Sequence, residues 1–154
     1  MLIGLISDTH GVIRPEALTA LDGVEMILHA GDVGATAVLR ELGRLAPVHA
    51  VFGNVDDPIL GLPQRLALEL AGLSVHVSHG HELGSPTPHT LVYRYPADII
   101  VFGHTHRPLV ETIGKTLVIN PGAAGPRRFT LQPSIALLTL QDGSASADII
   151  PLGM

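Results

Sequence analysis

The chain has 154 residues, 46% of them apolar, with a formal charge of −5 and no cysteine. That length suffices for one domain with its own core, and the missing thiols exclude disulfides and thiolate metal sites. The negative charge and the scarcity of aromatic residues argue against nucleic acid as a partner, whether through a basic face or through base stacking.

No apolar stretch approaches the ~20 residues of a membrane helix. The N-terminal run lacks a basic leader and meets Asp8 at once, so it reads as a strand in a cytoplasmic protein. Leu2 to Ile6 suits a strand buried on both faces. Pro15 at a first helical position, with Ala17, Leu18 and Leu21, predicts a helix ending at Leu21. Glu25–His29 predicts a second strand. Val38, Leu39, Leu42 and Leu45 give a helical stripe ended near Pro47, and Val48–Phe52 predicts a third strand. Such a βαβαβ opening implies a parallel, right-handed unit with helices against the sheet.

Asp56-Asp57-Pro58 and Gly61-Leu62-Pro63 then mark a loop. Leu66–Leu70 and Leu73–Val77 predict a hairpin about Ala71-Gly72. Thr87 and Pro88 cap and start a short helix carrying Leu91, Val92 and Tyr95, stopped by Pro96. Asp98–Phe102 is another apolar run. Leu109–Ile113 and Thr116–Asn120 flank the turn Gly114-Lys115, and a Gly/Pro-rich loop follows from Asn120 to Arg128. Ser134–Leu140 and Ala145–Ile150 flank a last turn, Gln141-Asp142-Gly143-Ser144. The expected fold is α/β (α+β): two stacked mixed sheets flanked by helices, as a single domain over residues 1–154.

Five of the apolar runs end alike, in a small residue and a potential metal ligand. They deliver Ser7-Asp8-Thr9-His10, Gly31-Asp32, Gly53-Asn54, Ser78-His79 and Gly103-His104-Thr105-His106. The steps between them, 22 to 25 residues, suit one strand plus its return path, so all can reach one edge of the sheets. Asp8, His10, Asp32, Asn54, His79, His104 and His106 offer oxygen and imidazole nitrogen, a donor set for Mn²⁺, Fe²⁺, Ni²⁺, Co²⁺ or Zn²⁺ before Ca²⁺. Seven ligands exceed one ordinary transition-metal site and suffice for two. Two-metal hydrolases hold their ions roughly 3.5–4 Å apart and clamp attacking and leaving oxygens.

Asp-x-His, Gly-Asp, Gly-Asn, a lone His and Gly-His-x-His, in that order, resemble the calcineurin-like metallophosphoesterase superfamily. The short length, Ser78-His79-Gly80-His81 and Asn120-Pro121-Gly122 resemble its small YfcE-like phosphodiesterase branch. The resemblance implies a four-layer αββα sandwich and two divalent ions, Mn²⁺ foremost. It implies one ion on Asp8, His10 and His106, another on Asn54, His79 and His104, and Asp32 bridging them. The implied reaction is hydrolysis of small phosphodiesters, and of monoesters as a second class, by in-line attack of an ion-bridging hydroxide.

One position departs from the pattern. Larger members read Gly-Asn-His-Asp/Glu, and that histidine is assigned to protonate the leaving oxygen; this chain reads Gly53-Asn54-Val55-Asp56. His81 is the substitute donor to consider, and Asp56 reads as either a loop cap or a support behind the ligands. Other residues have plainer readings beside the functional ones. His29, His49 and His76 read as packed or surface histidines and His89 as an exposed helix start. Arg127 and Arg128 read as a phosphate clamp or as solvated surface, and Asn120-Pro121-Gly122 as backbone support behind the ions or a simple turn. Two rival functions stand beside the hydrolase. One is a non-catalytic scaffold on the same fold, as in the retromer scaffold subunit, and the other is a metal-dependent nuclease. The high apolar content is also compatible with a homo-oligomer interface.

Overall fold

The strands that end before Asp8 and before His104 are apolar on both faces because each face packs against a different layer. A computed structural model describes residues 1–127 and 130–153, so Arg128 lies outside the described residues. In β1 (Leu2–Ile6), Ile3 and Leu5 enter one apolar cluster while Ile6 enters another. The same alternation, set by the strand's period of two, divides Leu28 from Ile27 in β2 (Met26–His29).

α1 (Pro15–Ala20) and α2 (Thr36–Gly43) join β1, β2 and β3 (Val48–Ala50), which pair in parallel. A hairpin, β4 (Arg65–Leu70) and β5 (Leu73–Ser78), opens a second sheet. α3 (Pro88–Arg94) leads to β6 (Ile99–Val101), parallel to β5, and β7 (Leu109–Ile113) and β8 (Thr116–Asn120) complete that sheet. The last hairpin, β9 (Ser134–Gln141) and β10 (Ser144–Pro151), returns to the first sheet, where β9 runs antiparallel to β1. The strand orders are β10-β9-β1-β2-β3 and β4-β5-β6-β8-β7.

Ile3, Leu5, Leu28, Val75, Val77, Ile99, Val101, Ile119 and Leu138 form the layer between the sheets. Ala17, Leu21, Val38 and Leu42 seal α1 and α2 over the first sheet, and Leu91 and Tyr95 meet Ile100, Phe102 and Val118 on the outer face of the second. This is the expected αββα order. Among the described residues, no helix is long and apolar enough to cross a membrane.

The structure departs from the sequence expectation at element ends. β3 stops at Ala50 because Phe52 N–H turns away to Pro63 O, 2.7 Å off, in the loop. α2 ends at Gly43, four residues before Pro47; Pro58–Leu60 forms a single 3₁₀ turn inside the predicted loop, and His81–Leu83 forms another between β5 and α3. The β9–β10 turn uses only Asp142 and Gly143, at φ 54° and 76°, the left-handed pair that a tight two-residue hairpin requires. At α3, Thr87 and Thr90 form a reciprocal capping box, and Tyr95 is extended ahead of Pro96, whose ring disfavours helical geometry at the preceding residue.

Candidate metal centre

The parallel strands β1, β2 and β3, and likewise β5 and β6, point their C-terminal ends the same way and so bring all five motifs to one rim. Asp8 and His79 are fully buried, and Asp32 and His106 nearly so; His10 and His104 are half-buried and Asn54 is exposed. Close approach explains the glycines. A Cβ at Gly53 would overlap the Asp32 amide and carboxylate, and one at Gly103 would overlap Ser7 Oγ and Asp8 Oδ2.

The backbone bends sharply here. Among the described residues seven non-glycine residues have positive φ, and five of them are Asp8, His10, Asp32, His104 and His106, at 47° to 71°. That region is sparsely populated by residues with a Cβ and is tolerated best by Asp, Asn and His. Such strain persists only where the surroundings over-determine it. Here they do: Asp8 N donates to Gly31 O, His10 N to Asp32 O and Gly125 N to Asp8 O.

Each carboxylate has one oxygen held by protein and one facing inward. Asp8 Oδ2 accepts from Ser7 Oγ at 2.7 Å and from His104 N at 3.2 Å; Asp32 Oδ1 accepts from Val55 N at 3.0 Å. The inward Asp8 Oδ1 lies 3.2 Å from His106 Nε2 and 3.8 Å from both His10 Nε2 and His79 Nε2. Asp32 Oδ2 lies 3.2 Å from His79 Nε2 and 3.8 Å from His10 Nε2. Two triads result, Asp8–His10–His106 and Asp8–Asp32–His79, each with donor atoms within 4.8 Å of one another.

Asn54 joins from the side, its Oδ1 accepting from His104 Nδ1 at 3.2 Å. His81 sits beside them, its ring 5.4 Å from that of His79 and 6.4 Å from that of His104. Asp56 faces away from the cluster. Its carboxylate accepts three backbone N–H groups, from Val33, Gly34 and Gly53, and so ties the Asp32 turn to the Asn54 turn.

The electrostatics fit a cation. Burial would raise the Asp32 carboxyl, but His79 and the Val55 amide outweigh it and hold the group near pKa 2. Burial would lower His79, yet its contact with Asp32 and the charges of Asp8 and Asp32 raise it. His104 is lowered, first by burial and then by His79. His79 Nδ1 donates to Ala30 O at 2.8 Å, which aims Nε2 into the cluster. Asp8 Oδ1 and His79 Nε2 are buried without a hydrogen-bond partner among the described residues. Native structures seldom leave such atoms orphaned; an acceptor oxygen and an imidazole nitrogen facing one space are what a divalent ion coordinates.

Two residues that the sequence places only in part are specified by the structure. Asn120 itself, through its side chain, bonds Gly103 O at 3.1 Å and Thr105 Oγ1 at 3.0 Å, bracing the last ligand turn from behind. The sequence alone allows backbone support from this stretch or a simple turn; the support comes from the side chain. His29 is fully buried and burial pushes its pKa down to about 4, so it is a neutral, packed imidazole beneath the site. His49 and His89 stand apart from the cluster, His76 stacks on Tyr95 at 3.8 Å, and Arg127 is exposed.

Residues 1–143 match the calcineurin-like phosphoesterase superfamily domain. The chain belongs to that superfamily. A probable metallophosphoesterase of Methanothermobacter thermautotrophicus is 37% identical over 164 residues, covering 99% of this chain and 94% of the relative. The phosphodiesterase YfcE of Escherichia coli is 31% identical over 150 residues, covering 80% of this chain and 79% of its own. Among solved structures, zinc-complexed Vps29 of Entamoeba histolytica superposes with TM-score 0.82 at 24% identity, covering 98% of this chain and 99% of that one. That likeness speaks to the fold alone. As a calcineurin-like phosphoesterase the chain is expected to use divalent ions, and its Asp/His triads are the residues that can hold them.

Proposed function

We propose that this calcineurin-like phosphoesterase hydrolyses small phosphodiesters, and monoesters as a second class, by in-line displacement at phosphorus with two divalent ions, Mn²⁺ foremost. Asp8, His10 and His106 would hold one ion, Asn54, His79 and His104 the other, with Asp32 between them. The observation that carries this reading is the pair of inward carboxylate oxygens, Asp8 Oδ1 and Asp32 Oδ2, met by His79, His10 and His106 nitrogens at 3.2–3.8 Å. Bound ions of this kind lower the pKa of water towards 7 and neutralise phosphate charge.

The chain's own residues set the rest. Ser7 Oγ, His104 N and Val55 N fix which carboxylate oxygen faces the imidazole cluster, so no rotation is needed when a cation arrives. Asp56 positions the Asp32 and Asn54 turns through its three amide contacts and does not itself face the ester. Val55 stands, 57% exposed, where an imidazole would protonate the leaving oxygen, so His81 is the remaining candidate donor in the immediate surroundings.

The complete set of seven donors favours catalysis over the scaffold reading. Metal analysis followed by a panel of ions against bis-aryl phosphate, aryl monophosphate, cyclic nucleotides and nicked or single-stranded DNA tests the proposal. Turnover of the diester that requires Mn²⁺ or a similar ion supports it. Ion-independent turnover overturns the two-ion mechanism, no turnover with any ion returns the chain to the scaffold class, and cleavage confined to DNA makes it a nuclease.

A further inference from the structure

His29 ends β2 three residues before Asp32, among apolar neighbours, and every hydrogen on its ring is accounted for. Gly31 N–H points at Nδ1 across 3.1 Å, so Nδ1 is an acceptor and carries no proton in the neutral ring. The ring proton therefore sits on Nε2, which lies 2.9 Å from Thr9 Oγ1. Thr9 Oγ1 also lies 2.8 Å from Val33 O, a group that only accepts, so the hydroxyl proton goes there and the hydroxyl oxygen is free to receive His29 Nε2–H. The chain of donors runs one way, Gly31 to His29 to Thr9 to Val33, with no alternative arrangement. Burial, which pushes the ring's pKa down to about 4, keeps the neutral form in place at physiological pH.

The ends of this chain are the ligand turns. Thr9 lies between Asp8 and His10, and Gly31 and Val33 flank Asp32. We propose that His29 is a positioning residue that rivets the Asp8–His10 turn to the Asp32 turn through Thr9 and thereby sets the separation of the two inward carboxylate oxygens. Backbone bonds already join these turns, from Asp8 N to Gly31 O and His10 N to Asp32 O, but they fix the main chain only. The imidazole is the side-chain strut between them. Its role rests on the metal-binding reading above, and it assigns a function to a residue outside the ligand set.

Outer partners of this kind are typically worth about 10–100-fold in metal affinity. The test is calorimetric titration of the metal-free full chain with Mn²⁺ alone, across wild type, His29→Asn, His29→Gln, Thr9→Val and the His29→Asn/Thr9→Val pair. Asn places its oxygen near the position of Nδ1 and keeps the Gly31 bond but cannot reach Thr9; Gln places its amide near Nε2 and can. Expected are about 10–100-fold weaker binding in His29→Asn and Thr9→Val, a double variant no weaker than either single one, and recovery in His29→Gln. Circular dichroism on the same samples separates folded from unfolded variants. If His29→Asn does not fold, His29→Gln and Thr9→Val remain, and Thr9→Val with wild-type affinity overturns the strut.

Folded His29→Asn or Thr9→Val within twofold of wild type, or additive losses in the double variant, overturn the strut. A wild-type chain that takes up no Mn²⁺ overturns the metal reading and the strut with it, so the two failures are distinguishable.

Discussion

His76 and His79 leave the same strand end, three residues apart, both buried, and hold their protons in opposite ways. His76 lies on the outer face of the second sheet, stacked on Tyr95 with its Nε2 2.9 Å from Ser78 Oγ. Burial pushes it down to about 4, with Glu82 opposing and Arg65 assisting. His79 reaches the rim, where Asp32 and Asp8 overcome burial and raise it. The outer face supplies a ring and a hydroxyl; the rim supplies two carboxylates, each with an oxygen that no amide or hydroxyl occupies. Burial alone therefore does not make a site. The rim is built to gather positive charge, whereas burial on the outer face keeps the His76 imidazole neutral.

The widest expected effect concerns what the rim lacks. It gathers cationic character but has Val55 where a proton donor would stand, and general-acid help is typically worth about 10²–10⁴-fold. Across an ester series, turnover should depend steeply on leaving-group pKa, with aryl esters ahead of alkyl ones by a factor in that range. A flat series would mean that a donor, with His81 first in line, already serves the rim. Next, Asp32→Asn erases half of the charge that distinguishes the rim from the outer face. Turnover should fall by about 10²–10³-fold or more, and in the metal-free protein the His79 imidazole, followed by NMR titration, should titrate lower, towards the behaviour of His76.

Asp56→Ala strands three amide hydrogens behind the rim. It should cost a few kcal/mol in denaturant unfolding, at about 1–3 kcal/mol for each buried group left without a partner, and should weaken Mn²⁺ binding as well. The smallest effect is on the outer face. Unfolded, His76 titrates near the ordinary 6.5; folded, it titrates near 4. Between those values the unfolded chain binds the extra proton, so stability is complete above about pH 6.5 and is lost as pH falls towards 4. His29 adds a loss of the same sign. Replacing the ring by His76→Gln should flatten part of the decline in melting temperature between pH 7 and 5. An unchanged slope would show that His76 is not buried neutral.

Much of this contrast could be read from the residues in order. Apolar runs closed by a glycine or serine and a donor picked out the side chains that meet at the rim, because strand, small residue and donor are adjacent in the chain. Two stacked sheets covered by helices followed from the order of apolar runs, and the four-layer αββα arrangement from the family resemblance. What stayed hidden depended on partners far away in sequence. Phe52 leaves its strand for Pro63, Asn120 braces Gly103, and Asp56 collects amides from Val33 and Gly34. His29 illustrates the limit best. Its packed environment was evident from flanking apolar residues, whereas the direction of its hydrogen bonds exists only once Thr9 lies against it.

The pairing of ions with these donors is tested most directly by anomalous diffraction from crystals grown with Mn²⁺. The account predicts two peaks at the rim, both bordering Asp32, one beside Asp8, His10 and His106 and the other beside Asn54, His79 and His104. Crystals at saturating Mn²⁺ with no peak among these side chains would contradict it.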